Sequence, residues 1–447
     1  MIKKTIEKAQ QSMFFTLKDT LDQRHPLYQL TKAINWEQFE KLFSPLYCQD
    51  NGRPCKPIRL MVGLLILKHL RNLSDESVVE QWSENLYYQY FCGESEFVAG
   101  QPCDASELVH FRNRIGEVGI EQILKESIRI NGEDSKEEAV NIDTTVQEKN
   151  ITYPIDDKLY KRIIKRCRKI SEEEGLPVRQ SYTRTLKQLS VIQRFRNNAK
   201  SHKKVKKADK KVKTIAGRLL RELERNLGEG TTYQKEIELY KRVLNQGKND
   251  KDKIYSLHEP EVKCISKGKA HKKHEFGNKV SIVLTQYTRV IVGALSFRNP
   301  YDGHTLPETL SQTERILDGQ CPKRATVDRG YRWKDIVNGV VIQTPKPFNK
   351  KQTKYKQVKI KKDFTRRAGI EPIIGHLKQD HRLGRNFYKG IIGDSMNLML
   401  AAAAFNFKRM MRKWKSSFWR FFDYKNIWKY FFKSDLLVIS PIPKTTF

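Results

Sequence analysis

Residues 138–147 read EAVNIDTTVQ, and the fold turns on them. Upstream of this stretch apolar residues recur on a helical period. Here alanine, valine, isoleucine and threonine crowd together and alternate with polar positions, which predicts a β-strand with Asp143 in its middle. Aspartate is depleted in strand interiors and costly to bury unpaired, so Asp143 requires a partner or a chemical role.

Working outward, residues 26–130 read as helical. RPCKPIRLMVGLLILKHLRNL starts after prolines with apolar residues on a helical period, SDESVVEQW opens on a serine as helices often do, and DASELVHFRNRIGEVGIEQIL continues the pattern. Residues 1–130 are therefore expected to form an all-helical N-terminal unit. Helix-turn-helix geometry and a purely structural bundle fit this pattern equally. After a first strand within 131–155, residues 156–257 turn helical and basic. In SHKKVKKADKKVKTIAGRLLRELERNL, Val205, Ala208, Val212, Ile215 and Leu219 recur at steps of three and four, a seam flanked by lysines. The pattern predicts a helical hairpin inserted into a β-containing domain, serving either as a solvated arm or as a DNA-contacting surface.

Residues 258–390 return to strands. NKVSIVLTQYTRVIVGALSF predicts an antiparallel hairpin. HTLPETL predicts a helix start, with Thr305 and Glu308 as capping box, Pro307 in the first turn and a run to about residue 318. RATVDRGY is a strand ending on Asp328; a short helix, the strand NGVVIQT and a lysine-rich loop follow. An antiparallel hairpin combined with parallel strands crossed over by helices gives an α/β fold with a mixed five-stranded sheet. Residues 391–447 form a helical, basic and aromatic tail. Within it SMNLMLAAAAFNFKRMMRKW is expected to be a packing helix rather than a membrane binder, and residues 414–433 could stack on bases or pack in a dimer.

The 447 residues imply two to four folding units. Net charge is +34, and residues 1–130 hold 16 basic and 17 acidic groups, so the whole excess belongs to residues 131–447. Such an excess calls for a polyanion, because lysine or arginine set against phosphate releases condensed counterions. Nucleic acid is the leading candidate; a ribosome-associated or merely basic protein is the plainer one. With no membrane-spanning apolar run and no apolar signal-peptide core, a soluble cytoplasmic, nucleoid-associated protein is expected. The seven cysteines form no C-x-x-C pair. His258, His271 and His274 with Cys264 lack regular ligand spacing, so a phosphate-facing basic loop is the better reading than zinc.

Three acids stand out. With the Asp143 strand central, the Asp328 strand beside it and the helix carrying Glu371 packed across both, acids 185 and 43 residues apart would meet at one end of the sheet. Carboxylates so placed can share two divalent cations about 4 Å apart and promote phosphoryl transfer. Magnesium suits that work through its preference for hard oxygen ligands. On a continuous helix Phe364, Arg367, Glu371 and Lys378 would form a stripe about 60° wide. The plain alternative is an i, i+4 salt bridge between Arg367 and Glu371. Pro372, lacking an N–H for Ala368, starts or kinks the helix nearby.

The spacing Phe364, Arg367, Glu371, Lys378 resembles the signature of bacterial insertion-sequence transposases of the DDE class: tyrosine, two residues, arginine, three residues, glutamate, six residues, lysine. Phenylalanine replaces the tyrosine. IDTTVQEKNITYPIDDKLY, ATVDRGY and GIEPIIGHLKQDHRLGRN look like the family's three catalytic segments, and GRPCKPIRLMVGLLILKHLRNLSDESVVEQW is similar to its helical N-terminal domain. The resemblance spans about residues 45–410. It implies a ribonuclease H-like core and catalytic metal ligands Asp143, Asp328 and Glu371 binding two Mg2+ ions, with Mn2+ as substitute. It also implies Arg367, Lys378 and Phe364 at the DNA, and double-stranded DNA partners, namely terminal inverted repeats and target, engaged by a homo-oligomer on paired ends. The rival readings are a non-catalytic DNA-binding repressor or decayed transposase, and a ribonuclease H-like nuclease without strand transfer.

Overall fold

The structure, a computed structural model, describes residues 16–48, 54–228, 230–247, 249–266, 273–298, 300–331, 335–345 and 353–421. Seven helices come first: α1 (Leu17–Thr20), α2 (Pro26–Ala33), α3 (Trp36–Phe43), α4 (Ile58–Leu70), α5 (Asp75–Glu84), α6 (Leu86–Cys92) and α7 (Ala105–Asn131). Their starts are fixed by side chains that accept otherwise orphaned backbone N–H groups: Asn35 for α3, Ser74 for α5, Asn85 for α6 and Asp104 for α7. Apart from Arg59, Lys68 and His69, α4 is apolar on every side, and all its residues but Arg59 are buried.

Strand β1 (Ala139–Lys149) follows, then the insertion with α8 (Asp156–Glu173), α9 (Thr183–Gln193), α10 (His202–Leu227) and α11 (Gln234–Asn245). The expected helical hairpin is thus four helices. The seam Val205, Ala208, Val212, Ile215 and Leu219 is buried, and all but Val205 belong to a core confined to the insertion. α10 needs three neighbours, α8, α9 and α11, to cover that face.

β2 (Lys263–Ser266), β3 (His274–Thr285), β4 (Ile291–Phe297), α12 (Asp302–Ile316), β5 (Arg324–Thr326), β6 (Ile336–Val337), β7 (Val340–Gln343), α13 (Lys354–Arg367), α14 (Ile370–Asp380), β8 (Arg385–Asn386) and α15 (Gly390–Phe421) complete the described chain. The α/β fold carries one mixed sheet. β1 is central, antiparallel to β3 and parallel to β5; β7 runs parallel to β5, and β4 pairs with the far side of β3. The sheet has eight strands rather than five, because β2, β6 and β8 add short ladders to β3, β7 and β1. β6 and β7 form a hairpin about Asn338 and Gly339, both at positive φ, where a short helix was expected.

Helix α12 begins at Asp302, three residues before the predicted cap. Thr305 donates to the Asp302 carbonyl at 2.7 Å, so it serves the first turn from inside, and Pro307 lies within the helix. α15 packs against α2, α4, α7 and β4. Its Asn406 exchanges two hydrogen bonds with the Ile291 backbone, accepting at 2.9 Å and donating at 2.8 Å, and also donates to Ser127 at 3.1 Å. One continuous hydrophobic core therefore joins the N-terminal helices, the sheet and α15. Residues 422–433 of the aromatic tail, and His271, lie outside the described residues. No described helix is long and apolar enough to cross a membrane.

Candidate active site

β1 places Asp143 opposite Ile282 of β3, and β5 enters the sheet on β1's other side, so Asp328, two residues past β5, arrives beside the central strand. Asp143 Oδ1 accepts the Thr144 N–H at 2.8 Å, and Asp328 Oδ1 accepts the Gly330 N–H at 2.8 Å. Their remaining oxygens face one cation. Arg367 Nη2 stands 3.3 Å from Asp143 Oδ2 and 3.9 Å from Asp328 Oδ2. The Asp143 and Arg367 side chains are only 14% and 16% exposed, which makes this pair far less screened than one in open solvent, whereas Asp328 is 40% exposed.

A third acid joins, and it is Asp302, which the sequence reading did not select. Its Oδ1 accepts from Thr144 Oγ1 at 2.9 Å and lies 2.9 Å from Lys279 Nζ. A Cβ on Gly330 would come within 2.9 Å of Asp328 Oδ1 and 3.1 Å of Asp302 Oδ2, so only glycine lets these carboxylates approach the loop. Tyr331 is buried behind them. Burial, and then the charges of Asp143 and Asp302, push its hydroxyl well above the ordinary tyrosine range. Asp302 escaped notice because an acid in a helix first turn is commonplace and the expected helix start lay beyond it.

Phe364 and Arg367 lie on α13, Glu371 and Lys378 on α14, so the four do not share one helical stripe. The break falls at Ala368–Gly369. Pro372 offers no N–H to Ala368, whose carbonyl accepts instead from Glu371 N at 3.3 Å in a tighter turn. α13 is tied to the sheet through buried Asp363, which faces Arg366 at 3.3 Å and Arg324 of β5 at 3.9 Å. α14 packs on β1 through Ile370, Ile373 and Leu377, while the Glu371 side chain is exposed. Phe364 and Lys378 are half-buried. Among the described residues no group of three or more acids, histidines or cysteines stands close enough to hold a metal ion, the His258 and Cys264 region included. Asp143 and Asp328 are brought together; Glu371 is not with them.

The arrangement fits a divalent cation in part. Two carboxylates already converge on a single positive atom, and Asp143 and Asp328 are the residues that would hold a cation here. All the donors facing it are hard oxygens, the chemistry magnesium or manganese prefers.

Residues 15–114 match the transposase domain DUF772, and residues 248–407 match the transposase DDE domain. Over 176 residues the chain is 41% identical to the uncharacterized protein ORF8 in the nfe locus of Rhizobium meliloti, an overlap covering 38% of this chain and 84% of that protein. No solved structure matches. Asp302, Asp328, Arg367, Glu371 and Lys378 fall inside the second match; Asp143 and the insertion helices fall outside both. Two transposase domains in one chain, with the second carrying the segment that bridges to Asp143, make this protein a member of the insertion-sequence transposases of the DDE class.

Proposed function

We propose that the protein cuts DNA at the ends of its insertion sequence and joins those ends to target DNA, on a ribonuclease H-like core. The observation that carries this reading is the convergence of Asp143 and Asp328 on Arg367. Asp143 and Asp328 would hold the divalent cation, and Glu371 would complete the ligand set by closing across the Ala368–Gly369 break. When bound, two Mg2+ ions supply Lewis-acid charge and a deprotonated water at neutral pH.

The chain's own residues do the rest. Arg367, released from the acid pair, and Lys378 offer positive charge to the phosphates flanking the cut, and Phe364 packs against the DNA. Asp302, held by Thr144 and Lys279, adds negative charge beside the loop that carries Asp328. In the first step a water oxygen attacks the phosphodiester phosphorus, the bond to the 3′ oxygen breaks, and that oxygen leaves as a 3′ hydroxyl. In the second, this hydroxyl attacks a target phosphodiester and displaces its 3′ oxygen. Residues 1–130 would recognise the terminal repeats, and a homo-oligomer would pair the two ends.

The test incubates purified protein with DNA carrying the element's own inverted repeats, in magnesium or in calcium. Cleavage in magnesium alone, abolished by Asp143→Ala or Glu371→Ala, is the expected result. Repeat-specific binding with no nicking would replace this reading with that of a repressor, and cutting without joining of a pre-cut end to a plasmid would leave a nuclease.

A further inference from the structure

The insertion lies outside both family matches and has its own core, and one face of it concentrates charge. On α10, Lys207, Lys211, Arg218, Arg221 and Arg225 are all exposed. They fall within about 80° of the helical wheel, turned away from the buried seam, along about 27 Å of axis. The stripe floors a groove whose other wall is the segment before α9, which contributes Arg179 and Tyr182. Two cavities, about 1290 and 470 Å³, meet there at Gln180, Tyr182 and Arg218. Tyr182 is held at φ 55°, a left-handed conformation that strains a non-glycine residue.

The charge is not neutralised from within. Two acids line the groove and leave its cations in excess: Glu222 accepts the Arg179 backbone N–H at 2.9 Å, and Glu224 pairs with Lys241. Among the described residues, no ion pair joins a carboxylate to any of the five α10 cations. Like charges at steps of three and four weaken a helix. A face needed only for solubility would intersperse acids. The stripe is therefore a cost to the free protein that a polyanion would offset.

We propose that this groove seats the phosphate backbone of a DNA duplex, as a contact separate from the acid site. The choice of DNA as the polyanion rests on the transposase reading. A duplex presents one negative charge per about 1.7 Å, so the stripe matches about eight base pairs. The contact is to backbone alone and is blind to sequence.

The test measures binding of the full chain to a random-sequence duplex by fluorescence anisotropy across a potassium chloride series. Lys211→Gln/Arg218→Gln/Arg225→Gln is expected to lower the slope of log Kd against log salt by about 2.7, and Lys207→Gln/Arg221→Gln by about 1.8, at about 0.9 per phosphate contact. Glutamine keeps helix propensity at these exposed positions. The control Arg162→Gln/Lys165→Gln/Lys169→Gln, on α8 outside the groove, should leave the slope in place. An unchanged slope in the groove variants, an equal fall in the control, absence of salt-dependent duplex binding, or a preference for single-stranded RNA would each overturn the proposal. Unchanged slope in variants that still cleave element ends would remove the groove and keep the transposase reading. Groove-dependent binding without cleavage would do the reverse.

Discussion

Arg367 and Asp143, 224 residues apart in sequence, meet at 3.3 Å, and the same guanidinium nitrogen lies 3.9 Å from Asp328. One guanidinium thereby holds together two carboxylates, one from β1 and one from the segment just after β5. The guanidinium and a divalent cation would compete for the same oxygens. Arg367→Ala is expected to tighten Mn2+ binding in the absence of DNA by about fivefold or more, about 1 kcal/mol, as read by calorimetric titration. Weaker Mn2+ binding in this variant would mean that Arg367 organises the acids rather than competing for them.

Neutralising either acid should stop the chemistry while sparing the fold. Asp143→Asn and Asp328→Asn keep side-chain volume and leave Arg367 one carboxylate to face. A metal's charge stabilisation amounts to several kcal/mol, so cleavage of end-bearing DNA is expected to fall about 1000-fold or more with the thermal midpoint little changed. Cleavage within tenfold of the parent protein would remove these residues from the site.

Gly330 and Gly277 separate activity from stability. A Cβ at Gly330 meets only the oxygens of Asp328 and Asp302, which can swing aside. Gly330→Ala should therefore lower cleavage about tenfold and cost about 1 kcal/mol or less of stability. At Gly277 the Cβ would lie 1.9 Å from the Gln147 carbonyl, in the ladder between β1 and β3. Backbone cannot yield there, and Gly277→Ala should destabilise by about 3 kcal/mol or more in urea titrations.

A third prediction of stability concerns pH. Lys68 of α4 is 2.8 Å from Asp75, shares that carboxylate with Arg112 at 2.7 Å, and sits 4.6 Å from the Tyr388 ring. Burial pulls its ammonium down to about 7, with Asp75 opposing the shift. The unfolded chain thus holds more protons at this residue above pH 7, so its contribution to stability rises with pH, by at most about 1.4 kcal/mol per unit. Comparing urea midpoints of the parent and Lys68→Met between pH 7 and 8.5, where thiol titration is common to both proteins, should show a rise in the parent relative to the variant.

Much of the sheet was legible because its long strands carry period-two alternation: β1, β3 and β4 were readable, as was the approach of β5 to β1. β2, β6 and β8 have two to four residues each, too few for any periodicity to register. The insertion's extra helices were hidden because a seam on α10 shows that a face is buried but not how many helices bury it. At the site, Asp143 announced itself as an acid in a strand, and Pro372 marked a break near Glu371. Which side of the break each residue would fall on depended on Ala368 and Gly369. The Asp302 contacts are tertiary, made by Thr144 of β1 and Lys279 of β3, and leave no trace in local sequence.

The place of α15 in the shared core bears on what a shortened gene product could be. A polypeptide ending after α14 would leave the apolar faces of α7 and β4 bare, and with them the Ile291 backbone that Asn406 satisfies. Such a product should be cleared by cellular proteases rather than persist as a competitor for the element's ends, so frameshifts late in this reading frame would silence the element without creating an inhibitor of intact copies.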